Sequence, residues 1–188
     1  LNHPELHGAF PDDFVHEGMS LCPNKPVAEV HLLDLWGRVV DAYPHAGGFA
    51  FLARDGGGCE CKICRVKPNP YLDIICHFHE MIHSKRADAD IYLSGWGFLP
   101  DEIEILAGRL PKDLVVLEPS GIHYPGHRPE EEHLRRIRSW RSAGMEVHAH
   151  VETMENATYL LPACYPNRIE YILRIHRNAG IENTWASS

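Results

Sequence analysis

Apolar and polar positions follow two alternating periods from about residue 27 onward. Short apolar runs, typical of buried parallel strands, alternate with longer stretches that repeat an apolar residue every three or four positions, as helices do. Alternating strands and helices predict βαβ units and a parallel sheet. The predicted strands are Gly48–Arg54, Asp90–Trp96, Leu114–Glu118, Glu146–Glu152 and Ile181–Ala186. The predicted helices are Val27–Tyr43, Asn69–Lys85, Asp101–Leu110, Pro129–Ala143 and Asn167–Asn178.

Two architectures accommodate these elements. One is an open parallel α/β sheet, and the other is a TIM-type (β/α)8 barrel, whose usual length is about 250 residues. Residues 1–26 are rich in proline and predict a long loop, of the kind that follows a strand. We therefore expect one domain over residues 1–188 that represents the last five βα units of a barrel, with the open sheet as the alternative.

Composition narrows the class of protein. The chain has 188 residues, of which 44% are hydrophobic, enough for a packed core. Its 26 acidic and 18 basic side chains give a net charge of −8, which argues against a nucleic-acid partner. No apolar run reaches the ~18–20 residues of a membrane span, so we expect a soluble protein. Because the chain starts at Leu1, cytoplasmic location and export with a removed signal both stay open.

The predicted strand Glu146–Glu152 has one polar face. Side chains alternate along a strand, so His148, His150 and Glu152 share one side, opposite three small or branched apolar residues. Buried polar groups need partners, so this face is predicted to point into a barrel or a cleft. Catalytic groups of α/β proteins collect at the carboxyl ends of strands, where this face ends.

Acidic residues at three strand ends suggest carbohydrate chemistry. Cleavage of a glycosidic bond needs paired carboxylates, one to protonate the leaving oxygen and one to attack or activate water. We predict Glu152 and Glu118 as this pair. Asp55 is predicted as a third acid, either the proton donor or a ligand to a substrate hydroxyl. Aromatic rings suit the apolar faces of sugars. The predicted substrate-binding residues are Trp96, Trp185, His148, His150, Tyr124 and Arg54.

A cysteine-rich loop follows the first predicted strand. Cys59, Cys61 and Cys64 have the Cys-x-Cys-x-x-Cys spacing that can wrap a tetrahedral Zn²⁺. Cys22 is the predicted fourth ligand, and His77 is the alternative. Such a zinc would be structural, since four protein ligands leave no open position, and catalysis is expected to need no cofactor. The alternative is a loop of free thiols or one local disulfide.

A second motif suggests a zinc peptidase instead. His79-Glu80-x-x-His83 places two histidines on one helix face, with the glutamate as a general base. Glu102 follows at a spacing that one zinc aminopeptidase class uses for its third ligand. The strand predicted between the motif and Glu102 weakens this hypothesis, because that class carries the third ligand on a helix.

Two segments resemble a known family. Leu21–Asn24 and the run Gly48–Arg65 are similar to a poorly characterised branch of the (β/α)8 glycoside-hydrolase superfamily, related to alpha-glucuronidase and hexosaminidase-like barrels. The resemblance implies that the five strands are the fourth to eighth of a barrel. It also implies an acid after the fourth strand and bases near the sixth and seventh strand ends, where Asp55, Glu118 and Glu152 stand. The alpha-glucuronidase acid, however, is a glutamate in a longer loop.

The function predicted from the sequence is O-glycoside hydrolysis with a carbohydrate as the partner. Three alternatives stay open: a non-catalytic carbohydrate-binding barrel, the zinc peptidase, and a barrel metal hydrolase that uses His148 and His150 as ligands.

Overall fold

The structure is a computed structural model. It describes the backbone of residues 21–52, 59, 61–66, 71–96, 98, 100–119, 130–152 and 166–187, and their side chains except at 65–66, 151–152, 166–168 and 185–187. The helices are α1 Pro26–Ala42, α2 Lys62–Val66, α3 Leu72–Lys85, α4 Pro100–Ala107, α5 Glu130–Ser142 and α6 Pro166–Asn178. The strands are β1 Gly48–Phe51, β2 Asp90–Ser94, β3 Val115–Pro119, β4 Glu146–Glu152 and β5 Thr184–Ser187. No described helix has the length and apolarity to cross a membrane.

The five strands form one parallel sheet in the order β1-β2-β3-β4-β5. The predicted mixed α/β class with a parallel sheet is therefore confirmed. As described, the sheet has free edges at β1 and β5, which fits the open alternative, and a closed barrel stays a prediction. The order runs without a reversal, whereas a doubly wound sheet reverses its order at a switch point. Consecutive parallel strands are also how a barrel wall is built.

One side of the sheet, here called the core face, packs under the helices. Strand register aligns Phe51 with Leu93, Leu93 with Val116, and Val116 with Val147, so these side chains point the same way. All are buried. Helix α3 covers part of this face with the apolar stripe that its sequence period predicted. The buried residues of that helix are Leu72, Ile74, Ile75, Phe78 and Ile82.

The opposite side, here called the open face, is partly exposed and mixes polar side chains with buried Leu117 and Pro119 of β3. It carries exposed Ala50 and half-buried Tyr92, Ser94, His148 and His150. The alternation predicted for β4 is confirmed there, because Val147 and Ala149 are buried while the two histidines between and beyond them are half-buried. The open face therefore brings described side chains from four strands, β1 to β4, toward one surface.

Glycines follow the ends of two helices. Gly144 after α5 and Gly180 after α6 have φ values of +80° and +74°, in the left-handed region that favours glycine. Each helix closes with the same pair of hydrogen bonds. At α5, the N–H of Gly144 donates to the carbonyl of Arg141 and that of Met145 to Trp140. These two hydrogen bonds turn the chain sharply after α5, and this turn fixes where β4 starts.

Candidate functional site

His148 lies in the middle of the open face. Its Nε2 is 2.7 Å from Glu146 Oε1 and 3.0 Å from Asn183 Nδ2, and its ring centroid is 6.0 Å from that of Tyr92. The Tyr92 hydroxyl donates to Asp90 Oδ2 at 3.2 Å. Burial, together with the neighbouring Asp90 carboxylate, raises the pKa of Tyr92, so its phenol keeps its proton at neutral pH. These contacts lie toward the end of the sheet where the strands begin. Other residues occupy the opposite end, where the strands finish, which is called the carboxyl edge below.

The carboxyl edge of the open face holds His150 and the chain that leaves β2. His150 is paired in register with Pro119 and with Trp185. Trp96 follows β2 directly, is half-buried, and donates its backbone N–H to Ser94 Oγ at 3.3 Å. The structure thus places His150 and Trp96 at this end of the strands, and His148 in the middle of the open face. The role of these residues in binding substrate stays a prediction.

Several predicted site residues fall outside this description. Asp55, Arg54 and Tyr124 lie outside the described residues. The backbones of Glu152 and Trp185 belong to β4 and β5, and their side chains are not described. The predicted roles of these five residues therefore stay predictions.

Glu118 lies on the core face, away from the histidines. It pairs in register with Ala149, so its side chain points with Ala149 and opposite to His148 and His150. The carboxylate is 0% exposed. Strand alternation puts Glu152 on the same side as the two histidines. A catalytic pair of Glu152 and Glu118 would need both carboxylates on that side. The prediction that Glu118 lies on the same side as Glu152 is wrong, because strand register turns the Glu118 side chain toward the helices. A catalytic role for it stays a prediction without geometric support.

Glu118 is the centre of a buried polar cluster. Arg136 of α5 places Nε 2.5 Å from Glu118 Oε1 and Nη2 3.2 Å from Oε2. Trp140 Nε1 donates to Oε2 at 3.0 Å. The same guanidinium donates to the carbonyls of Phe98 and Gly95, which lie in the β2–α4 connection. A Cβ at Gly95 would overlap Glu118 Oε2, so the connection approaches the carboxylate as closely as only glycine allows.

The sequence contained a signal for this cluster that the prediction missed. Helix α5 buries His133, Arg136, Ile137 and Trp140, which share one face by helical spacing. An arginine on a buried stripe needs a carboxylate or carbonyls as partners, because an unpaired buried charge is costly. Glu118, the acidic residue at the end of a buried strand, is that partner.

The four cysteines predicted as metal ligands meet in one cluster. The Sγ atoms of Cys22, Cys59, Cys61 and Cys64 all lie within 4.8 Å of one another. Cys22 Sγ is 3.8 Å from both Cys61 Sγ and Cys64 Sγ, too far for a disulfide bond. Four sulfurs held about 2.3 Å from a tetrahedral Zn²⁺ stand about 3.8 Å apart. The cluster could therefore hold a metal ion. His77, the alternative ligand, contacts Glu29 instead.

Hydrogen bonds and burial shift the pKa values of the clustered thiols in opposite directions. Asn24 Nδ2 donates to Cys64 Sγ at 2.9 Å, and the N–H of Cys64 lies 3.5 Å from Cys61 Sγ at the start of α2. That backbone hydrogen bond is the main reason why the pKa of Cys61 falls to about 7. Burial raises the pKa of Cys22 and of Cys64. A cation among the four sulfurs would favour the thiolate at each of them.

The His79-Glu80-x-x-His83 motif does lie on a helix, but its predicted third ligand is elsewhere. The two histidines belong to the carboxyl-terminal half of α3, which leads to the start of β2. Glu102 belongs to the first turn of α4, which follows the end of β2. Among the described residues, the acidic ligand that meets both histidines is Asp113. The aminopeptidase spacing therefore does not produce the site it predicted.

No protein-family model matches the chain. No curated protein is similar to it in sequence at a significant level. Among solved structures, it is similar to a protein assigned as a phosphonomutase from Burkholderia cenocepacia, with a TM-score of 0.50, 14% identity, and coverage of 80% of this chain and 63% of that one. The chain thus spans less than two thirds of that structure. At this identity the likeness concerns the fold alone.

Two further structures align more weakly. One is an assigned alpha-L-fucosidase from Bacteroides thetaiotaomicron, with 8% identity, a TM-score of 0.48, and coverage of 89% and 69% of the two chains. The other is the catalytic domain of an alkaline cellulase, with 16% identity, a TM-score of 0.43, and coverage of 89% and 53%. The glycoside-hydrolase branch that the sequence resembles therefore stays a prediction.

Proposed function

We propose that this chain forms part of a (β/α)8-type domain that binds carbohydrate at the carboxyl edge of the open face and hydrolyses O-glycosidic bonds there. The observation that carries this proposal is the partly exposed open face with its polar side chains. Parallel sheets are normally covered on both sides by apolar contacts. Here one side carries half-buried His150 at its carboxyl edge, and His148 and Tyr92 further toward the strand starts, beside buried Leu117. Trp96 at the same edge adds an aromatic surface of the kind that packs on sugar rings.

Glu152 and Asp55 are the carboxylates that we assign to catalysis. Glu152 ends β4 on the strand that carries both open-face histidines, and Asp55 follows β1 in sequence. One would protonate the leaving oxygen, and the other would attack the sugar or activate water. His150 would orient the Glu152 carboxylate. A separation of ~5–5.5 Å between the two would give retention of configuration, and ~6.5–9.5 Å would give inversion.

We assign a structural zinc to the four cysteines. The fit rests on the 3.8 Å distances from Cys22 Sγ to the sulfurs of Cys61 and Cys64, on the approach of all four sulfurs within 4.8 Å, and on the burial of Cys22, Cys59 and Cys64. Such an ion would tie the segment before α1 to the loop after β1 and to α2. The same loop contains Asp55 in sequence.

Hydrolysis is tested with aryl glycosides and oligosaccharides of several sugars. We expect turnover by the wild type and a loss of at least about 100-fold in kcat for Glu152→Gln, since general acid–base groups contribute about 10²–10⁴-fold. Glu104→Gln, which removes an exposed carboxylate on the outer helix α4, is the matched control and should keep full activity. Saturable sugar binding without turnover would replace this proposal with a non-catalytic carbohydrate-binding protein.

The zinc assignment is tested by cobalt substitution. Co²⁺ bound by thiolates gives a sulfur-to-metal charge-transfer absorption that nitrogen and oxygen ligands do not give. We expect this band in the wild type and a weaker band with lower cobalt affinity in Cys61→Ser, which leaves three thiolates. Cys76→Ser changes a cysteine of α3 outside the cluster and should keep the band. A wild-type protein without the band would contradict the assignment.

A further inference from the structure

A second group of ligand atoms lies apart from the cysteines. His79 and His83, one turn apart on α3, meet Asp113 of the α4–β3 connection. His79 Nε2 is 2.9 Å from Asp113 Oδ1, and His83 Nδ1 is 3.7 Å from Asp113 Oδ2. The two imidazole centroids are 4.3 Å apart. One nitrogen from each ring and one carboxylate oxygen all lie within 4.8 Å of one another.

The orientation of His83 is one that a metal ligand can adopt. Its Nε2 lies 3.3 Å from the carbonyl of Ala89, and because a carbonyl only accepts, Nε2 is the nitrogen that carries hydrogen. In the neutral ring, Nδ1 then presents a lone pair toward the Asp113 carboxylate. Metal-binding histidines are held in this way, with the distal ring nitrogen donating to a carbonyl or carboxylate.

We propose that His79, His83 and Asp113 bind one divalent transition-metal ion of the Zn²⁺ class. Two imidazoles and a carboxylate are borderline ligands that suit zinc, nickel or cobalt better than calcium or magnesium. The side chains are 12%, 30% and 59% exposed, so the ion exchanges with solvent and keeps water in its remaining positions.

Such an ion would join two segments that lie far apart in sequence. It would fasten the end of α3 to the connection between α4 and β3. Both segments lie at the edge of the sheet where strands begin. The proposed glycosidase residues lie where strands end. The ion is therefore independent of the hydrolytic site and of the cysteine cluster.

The test is a Zn²⁺ titration followed by NMR of the histidine imidazoles, with isothermal titration calorimetry on the same samples. The imidazole signals read this site even if the cysteines also take zinc. We expect the His79 and His83 signals to shift together and to saturate at one ion beyond any that the cysteines take up. Asp113→Asn and His83→Ala should weaken this binding at least about tenfold. His45→Ala, which removes an exposed histidine elsewhere, should leave it unchanged.

Circular dichroism without added metal shows whether each variant is folded. His79 and His83 signals that do not shift in the wild type would overturn the proposal. So would a folded His83→Ala protein that binds as the wild type does.

Discussion

Polar residues on the two faces of the sheet differ in how deeply they are buried. On the core face, Glu118 is wholly buried and each of its oxygens has a partner on α5. On the open face, one strand away, His148 and His150 are half-buried. The Glu118 and His150 positions differ by a single step of strand register. An acidic residue at a strand end is therefore not enough to predict a catalytic role, because its face decides whether it meets substrate or a helix.

The largest expected effect comes from breaking the ion pair on the core face. Glu118→Gln keeps the shape of the side chain but leaves the buried Arg136 charge uncompensated. We expect the free energy of unfolding to fall by about 3–5 kcal/mol, measured by urea denaturation. Glu104→Gln, an exposed carboxylate, should change it by less than about 0.5 kcal/mol.

The same variant tests whether Glu118 is a structural or a catalytic residue. If Glu118→Gln were as stable as the wild type and yet lost hydrolysis, Glu118 would be catalytic and the division between the two faces would be wrong.

Removing the second donor to Glu118 should have a smaller effect. Trp140→Phe keeps most of the buried ring and deletes the Nε1–H bond to Oε2. Hydrogen bonds to charged groups contribute about 1.5–3 kcal/mol, so the free energy of unfolding should fall by about that amount. Thermal unfolding of the variant and the wild type measures it. An unchanged midpoint would show that Arg136 alone satisfies the carboxylate.

Filling the space beside the carboxylate tests how tightly the core face is closed. Gly95→Ala places a methyl group against Glu118 Oε2, so either the β2–α4 connection or the ion pair must shift. We expect a loss of about 1–3 kcal/mol of stability. Gly47→Ala is the matched control for the loss of glycine, since a Cβ there meets no atom within 4 Å. Equal stabilities for the two variants would contradict the close contact.

A substitution on the open face should have the smallest effect on stability and should weaken glycoside binding. His150→Ala removes a half-buried side chain from the edge where sugar is proposed to bind. We expect the free energy of unfolding to change by less than about 1 kcal/mol. Glycoside affinity, measured by calorimetry with Glu152→Gln as the background to prevent turnover, should weaken at the same time. A large loss of stability without loss of affinity would make His150 a structural residue.

The sequence predicted local elements well where the pattern was long. Strand β4 has the predicted bounds, Glu146–Glu152, because seven alternating residues leave one consistent register. Helix α2 was missed because its five residues, Lys62–Val66, are too few to show a helical period. Cys22 was found as the fourth cysteine of the cluster because it stands in the loop before the first helix.

Contacts between distant segments were harder to predict. The face that Glu118 occupies depends on strand pairing with β4, which no local pattern states. Asp113 meets His79 from 34 residues away and was not predicted, although the histidine pair itself was recognised. Arg136 was the clue available for Glu118, since a charge on a buried helical stripe requires a partner nearby.

The most direct test of the central claim is histidine-imidazole NMR during addition of the glycoside that the protein hydrolyses fastest, with Glu152→Gln to prevent turnover. We expect the signals of His148 and His150 to shift and saturate. The signals of His133 and His176, whose Nε2 atoms lie 2.7 Å apart in the buried contact between α5 and α6, should stay where they are. Unchanged His148 and His150 signals at saturating glycoside would show that the open face is not where the sugar binds.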